Sequence, residues 1–132
     1  MQKRTVLVVE DADATRRLLE VALMIDGFNV IERTDGASGL EAARSLLPDV
    51  IVLDVALPEM DGWEVLGHLR IDPNTRHIPV VVVTAHDTAE TRSKADFASA
   101  DAFVGKPFDL NHLRSLITNL LERQSSQTAP VG

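Results

Sequence analysis

Short apolar runs recur along this chain, and each stops at a polar residue. Val6-Leu7-Val8-Val9 gives way to Glu10-Asp11, Val50-Ile51-Val52-Leu53 to Asp54, and Val80-Val81-Val82-Val83 to Thr84. Ala102-Phe103-Val104-Gly105 leads into Lys106-Pro107. Unbroken apolar runs of this kind are strands of a parallel sheet covered on both faces. Helical spacing fills the intervals. The pattern predicts strands near 5–10, 28–33, 49–54, 79–84 and 101–105, and helices near 13–26, 36–47, 61–71, 87–98 and 109–123. The last helix is plainest, with Leu113, Leu116, Ile117, Leu120 and Leu121 at helical intervals. In the first, Leu18, Val21, Ala22 and Ile25 define the face expected inside, and Gly27 stops the helix. Asp35-Gly36 marks the exit of the second strand, Pro48 ends the second helix, and Asp72-Pro73-Asn74 ends the third.

Strand and helix alternating at this pitch imply right-handed βαβ units and an α/β fold, its sheet parallel and sandwiched between helices. The runs at 6–9, 50–53 and 80–83 are wholly apolar and belong at the centre. The mixed Phe28-Asn29-Val30-Ile31-Glu32 and the short Ala102-Phe103-Val104 suit the edges. Order 2-1-3-4-5 satisfies both conditions. It opens a crevice at the carboxyl ends of strands 1 and 3, where such folds place ligands. Glu10, Asp11 and Asp54 fall at that crevice, flanked by Thr84 and Lys106.

Composition narrows the picture. The 132 residues suffice for one domain with a core, here residues 1–123. From Gln124 to Gly132 no pattern survives, and this stretch is expected to be a flexible tail or the start of a linker. No apolar run approaches the roughly 20 residues that cross a bilayer, and the run after Met1 is too short for a signal peptide. There is no cysteine, so thiol catalysis, thiolate metal sites and disulfides are excluded. A cytoplasmic location is expected. The net charge of -7 argues against nucleic acid as a direct ligand.

Three carboxylates at one crevice repel one another, so they either hold protons or hold a cation. Oxygen-only ligands suit a hard ion, and Mg²⁺ accepts a few carboxylates while keeping several waters. Asp11 and Asp54 are the candidate direct ligands, the backbone carbonyl of Ala56 a third, with Glu10 acting through water. A solvated acidic patch at a helix start is the alternative. Lys106 and Thr84 shift the balance, because each can bind a phosphoryl oxygen. Aspartate, divalent ion, lysine and hydroxyl together are what phosphoryl transfer to a carboxylate requires.

In this respect the chain resembles the receiver domain of two-component response regulators, from about Lys3 to Arg123. The resemblance rests on Val8-Val9-Glu10-Asp11, Leu53-Asp54 with Leu57-Pro58-Glu59-Met60-Asp61-Gly62, Val83-Thr84-Ala85, and Val104-Gly105-Lys106-Pro107-Phe108. It implies a flavodoxin-like (βα)5 three-layer sandwich. It implies that Asp54 takes phosphate from a phosphohistidine of a sensor histidine kinase or phosphotransfer protein, and that Glu10 and Asp11 hold Mg²⁺. Thr84 and Lys106 would bind the aspartyl phosphate, with Ala85 leaving room for Thr84 to swing. The Lys106-Pro107 bond would be cis. Phe103 would turn inward as the switch aromatic, though without the hydroxyl of the tyrosine often found there. The output partner would meet the face of helix 4, strand 5 and helix 5, which can also carry a phosphorylation-dependent dimer. The phosphodonor would meet helix 1, where Arg16 and Arg17 can face an acidic rim or simply solvent.

Other residues bear on the alternatives. An aspartate-nucleophile phosphatase needs a second acid two residues after the nucleophile; here that residue is Ala56. No Gly-x-Gly-x-x-Gly or Walker-type loop supports a nucleotide or flavin site. An interaction module working without phosphorylation stays open. His86 lies near the site mouth. Ser99 stands where many receivers have glycine. Trp63 is expected to pack partly buried, and His68, His77 and His112 lack metal-ligand spacing.

Overall fold

A computed structural model of the chain describes residues 3–57 and 59–128. Strands and helices alternate as β1 (Thr5–Val9), α1 (Asp13–Ile25), β2 (Asn29–Arg33), α2 (Gly36–Leu46), β3 (Val50–Asp54), α3 (Gly62–Ile71), β4 (Val80–Thr84), α4 (Ala89–Phe97), β5 (Ala102–Gly105) and α5 (Leu110–Thr128). The strands form one parallel sheet in the order β2-β1-β3-β4-β5. This is the α/β class and strand order expected from the runs, and the flavodoxin-like architecture that the resemblance implies. The wholly apolar strands are central, and β3 and β4 are buried throughout.

Alternate strand residues serve opposite faces. Leu7, Val9, Ile51, Leu53, Val80 and Val82 pack with Leu40 and Ala43 of α2 and Val65, Leu66 and Leu69 of α3. Val6, Val8, Val50, Val52, Val81 and Val83 pack with Leu19 and Leu23 of α1 and Leu113 and Ile117 of α5. Lys94 of α4 lies over the half-buried Trp63 of α3, which puts α4 on the α3 side. Side-chain caps start three helices: Asp35 accepts from Ser38 N–H, Asp61 from Glu64 N–H, and Thr88 exchanges bonds with Thr91 in a capping box.

Two expectations need correction. The buried residues of α1 are Leu19, Ala22 and Leu23, while Leu18, Val21 and Ile25 face outward. Residues 18–25 are apolar nearly all round, so periodicity alone does not select the inner face. The backbone of α5 continues to Thr128, past the expected end at 123. Its last turn is Gln, Ser and Thr, which carries no apolar stripe to mark it. Residues 129–132 of the expected tail lie outside the described residues.

The turn into β5 differs in its own way. Ser99 takes a left-handed φ of 64°, the region glycine favours. Its carbonyl accepts from Arg70 Nε, and the same guanidinium also reaches the carbonyls of Arg76 and Ile78 and the Asp101 carboxylate. One side chain thus ties the entries to β4 and β5 to α3.

Candidate functional site

Buried polar side chains are costly unless satisfied, so their locations are informative. Among the described residues they are Glu10, Asp54, Thr75 and Thr84. Thr75 caps the Leu69 carbonyl. The other three stand at the carboxyl ends of β1, β3 and β4. In the sheet register Val9 lies beside Leu53, Asp54 beside Val83, and Thr84 beside Gly105. Neighbouring strands therefore present their terminal side chains at one edge.

Lys106 enters from the end of β5. Its Nζ lies 2.6 Å from Glu10 Oε1 and 3.0 Å from Asp54 Oδ2. Burial pushes the Glu10 carboxyl up to about 7, and nearby Asp54 adds to the rise against the pull of Lys106 and the Ala12 N–H. Burial alone would lower the Lys106 ammonium, but its bonds to Glu10 and Asp54 outweigh this and raise it. The other oxygen of Asp54 accepts from the Ala56 N–H at 2.8 Å.

Glu10, Asp11 and Asp54 can each offer a carboxylate oxygen, and these oxygens lie within 4.8 Å of one another. The donor set is all oxygen, and Asp11 is exposed, so water can complete a coordination shell. These are the terms on which a hard divalent ion binds. His68, His77 and His112 lie apart and exposed.

Thr84 is buried, and its hydroxyl oxygen accepts from the His86 N–H at 3.0 Å. His86 itself is exposed. Ala85 is exposed and lines a cavity of about 440 Å³ with Thr15, Leu18, Lys106, Pro107 and Phe108. The Lys106–Pro107 peptide is cis. Phe103 is half-buried against the α3-side core.

Close backbone approach shapes the rim. A Cβ on Gly62 would collide with Val55 Cα and come within 2.6 Å of the Asp54 carbonyl oxygen. The loop after the central aspartate closes on β3 only because residue 62 lacks a side chain. Gly62 N–H donates to the Val55 carbonyl at 3.0 Å.

Arg16 has a role the sequence did not disclose. It turns inward and donates to the Glu10 carbonyl at 3.0 Å, pairing also with Asp13. It braces the acidic loop, whereas Arg17 faces solvent. Nor does the sequence disclose the pairing of Asp87 with Arg92. Their carboxylate and guanidinium pair doubly, at 2.6 and 2.9 Å. Five residues apart across a loop-to-helix junction, they match no helical spacing rule.

Comparison with known proteins decides the family. The model of the response regulator receiver domain matches residues 6–118. The chain belongs to the response regulator receiver domain family. It is 39% identical over 131 residues to the response regulator PleD of Caulobacter vibrioides, covering 92% of this chain and 29% of that protein. It is 38% identical over 125 residues to the KDP operon transcriptional regulatory protein KdpE of Escherichia coli, covering 95% of this chain and 54% of that protein. The chain thus spans about a third to a half of these curated relatives. Among solved structures it resembles the receiver domain of sensor histidine kinase PA1611 from Pseudomonas aeruginosa, with TM-score 0.84 and 25% identity. That match covers 92% of this chain and 99% of the other, whose active-site cleft coordinates a magnesium ion. This receiver domain is therefore a two-component signalling module, and no helix among its described residues is long and apolar enough to cross a membrane.

Proposed function

We propose that this receiver domain is a phosphoryl-accepting switch with Asp54 as the acceptor. The observation that carries the reading is the Lys106 ammonium held between two buried carboxylates, Glu10 and Asp54. An oxygen of Asp54 attacks the phosphorus of a phosphohistidine. The P–N bond breaks, and its electron pair returns to the imidazole of a sensor histidine kinase or phosphotransfer protein. Lys106 leaves Asp54 for a phosphoryl oxygen, and the Thr84 hydroxyl turns from the His86 N–H to donate to another. Asp11, Asp54 and the Ala56 carbonyl would hold Mg²⁺, with Glu10 acting through water. The bound ion would neutralise charge gathering on the phosphoryl oxygens.

The chemistry beyond that is self-dephosphorylation only. Ala56 has no proton to give a leaving group, which counts against an aspartate-nucleophile phosphatase. The exposed apolar residues Leu18, Val21, Met24 and Ile25 give α1 a surface for the phosphodonor's own helix. The α4-β5-α5 face relays the state to an output protein or domain, or to a second copy, in the cytoplasm.

Intact-mass measurement after incubation with acetyl phosphate and Mg²⁺ tests the reading. Gain of one phosphoryl group, absent in Asp54→Asn, supports it. No gain, or a gain that survives Asp54→Asn, sinks it in favour of an interaction module working without phosphate.

A further inference from the structure

Thr84 and Phe103 stand on one face of the sheet, because Val82 is in register with Phe103 and Thr84 with Gly105. The position between them is a glycine, and the space its side chain would take is filled from the β4–α4 loop. A Cβ on Gly105 would lie 2.7 Å from Asp87 Oδ2 and 2.8 Å from Asp87 Cβ. Asp87 in turn grips Arg92 through both carboxylate oxygens. The Arg92 guanidinium lies over the Phe103 ring, 4.7 Å from its centroid. The same loop donates its His86 N–H to the Thr84 hydroxyl. The capping box at Thr88 and Thr91 fixes the first turn of α4, from which Arg92 projects.

Resting on the phosphoacceptor reading, we propose that Asp87 and Arg92 are positioning residues, a latch that holds Phe103 and the β4–α4 loop in the resting arrangement. A phenylalanine has no hydroxyl to anchor it, and a guanidinium on its ring face supplies a directional hold instead. When Thr84 moves toward a phosphoryl group, the loop whose His86 N–H it accepts from must follow or let go, and that loop is tied through Asp87 and Arg92 to Phe103. The two movements are therefore coupled through one ion pair, and weakening the pair favours the switched arrangement.

Two measurements test this on the whole domain. Beryllofluoride with Mg²⁺ mimics the phosphoryl group, and its binding is followed by the fluorescence of Trp63, which packs under Lys94 of α4. Arg92→Ala and Asp87→Asn should tighten binding about two- to fivefold, the range one exposed cation–π contact supports. Arg92→Lys should fall between, and Arg92→Ala should have no effect in a Phe103→Leu background. Independently of any phosphoryl chemistry, fluorine NMR of fluorophenylalanine-labelled, metal-free domain should show the Phe103 line shifted in Arg92→Ala and in Asp87→Asn. Unchanged or weaker mimic binding in folded Arg92→Ala overturns the latch, as does an unmoved Phe103 line. Failure of the unsubstituted domain to bind the mimic, with the Phe103 line still moving, strikes the phosphoacceptor reading and with it the latch's role in switching.

Discussion

Lys106 and Glu10, 96 residues apart in sequence, meet at 2.6 Å, and the same ammonium reaches Asp54. One cation thus serves two buried carboxylates with Asp11 beside them, and the cluster holds more acidic groups than Lys106 alone can offset. The site stores this imbalance because the central strands give it no alternative.

The imbalance has a pH signature. Glu10 titrates near 7 when folded, against an ordinary 4.5, mainly because it is buried. Between those values the folded form binds a proton that the unfolded chain has released. This group's contribution is therefore greatest below about pH 4.5 and is lost as pH rises through 7. Glu10→Gln removes the titration and keeps an oxygen for Lys106. Denaturant unfolding of the metal-free domain should show Glu10→Gln gaining on the natural protein by on the order of 2–3 kcal/mol between pH 5 and 8. Equal pH profiles for the two proteins would refute the assignment.

Gly62→Ala should damage both fold and site. The new methyl would meet backbone atoms of Asp54 and Val55, which cannot rotate away. A loss of about 2–3 kcal/mol is expected, at the upper end for overpacking, read as a lower midpoint in urea with an unchanged slope. Gly67→Ala is the control, since a Cβ there meets nothing within 4 Å.

Ser99→Gly should stabilise. At φ 64° a serine bears a left-handed cost that glycine avoids, and the glycine's extra freedom when unfolded offsets part of the gain. A net gain of about 0.5–1 kcal/mol is expected, measurable by calorimetry. A loss would mean that the Ser99 side chain contributes more than the backbone costs.

Val21→Glu and Ile25→Glu separate docking from chemistry. Both residues are exposed, at 48% and 76%, so stability should change by less than about 0.5 kcal/mol. Phosphorylation by acetyl phosphate should be unaffected, while transfer from a histidine-phosphorylated protein should slow. Equal slowing with both donors would remove α1 as the docking face.

Much of this was legible in the chain, for identifiable reasons. Val6–Val9, Val50–Leu53 and Val80–Val83 are buried on both faces, so they announced the central strands and, by their ends, the acids and Thr84. The short β5 and mixed β2 placed themselves at the edges. The inner face of α1 was not legible, because Leu18 and Leu19 are equally apolar and only the packed sheet tells them apart. Arg16 was visible as a charge but not as a brace, since two of its partners are the backbone carbonyls of Glu10 and Asp11. Asp87 and Arg92 pair across a loop-to-helix junction, with Asp87 in the space that Gly105 leaves by lacking a side chain, a proximity that only the folded sheet creates.

The sheet's uneven burial has a consequence for how the domain opens. β1, β3 and β4 are sealed by helices on both faces, whereas β5 is a four-residue edge strand with Val104 as its one buried residue. Amide exchange should find the central strands released only with global unfolding, and β5 released by smaller excursions. Glu10, Asp54 and Thr84 hang from the strands expected to open last, and Phe103 from an edge strand expected to open sooner. Under the proposed switch, the reacting groups would be clamped where slack would cost rate, and the reporting ring would sit where slack lets a small chemical change be felt at the surface.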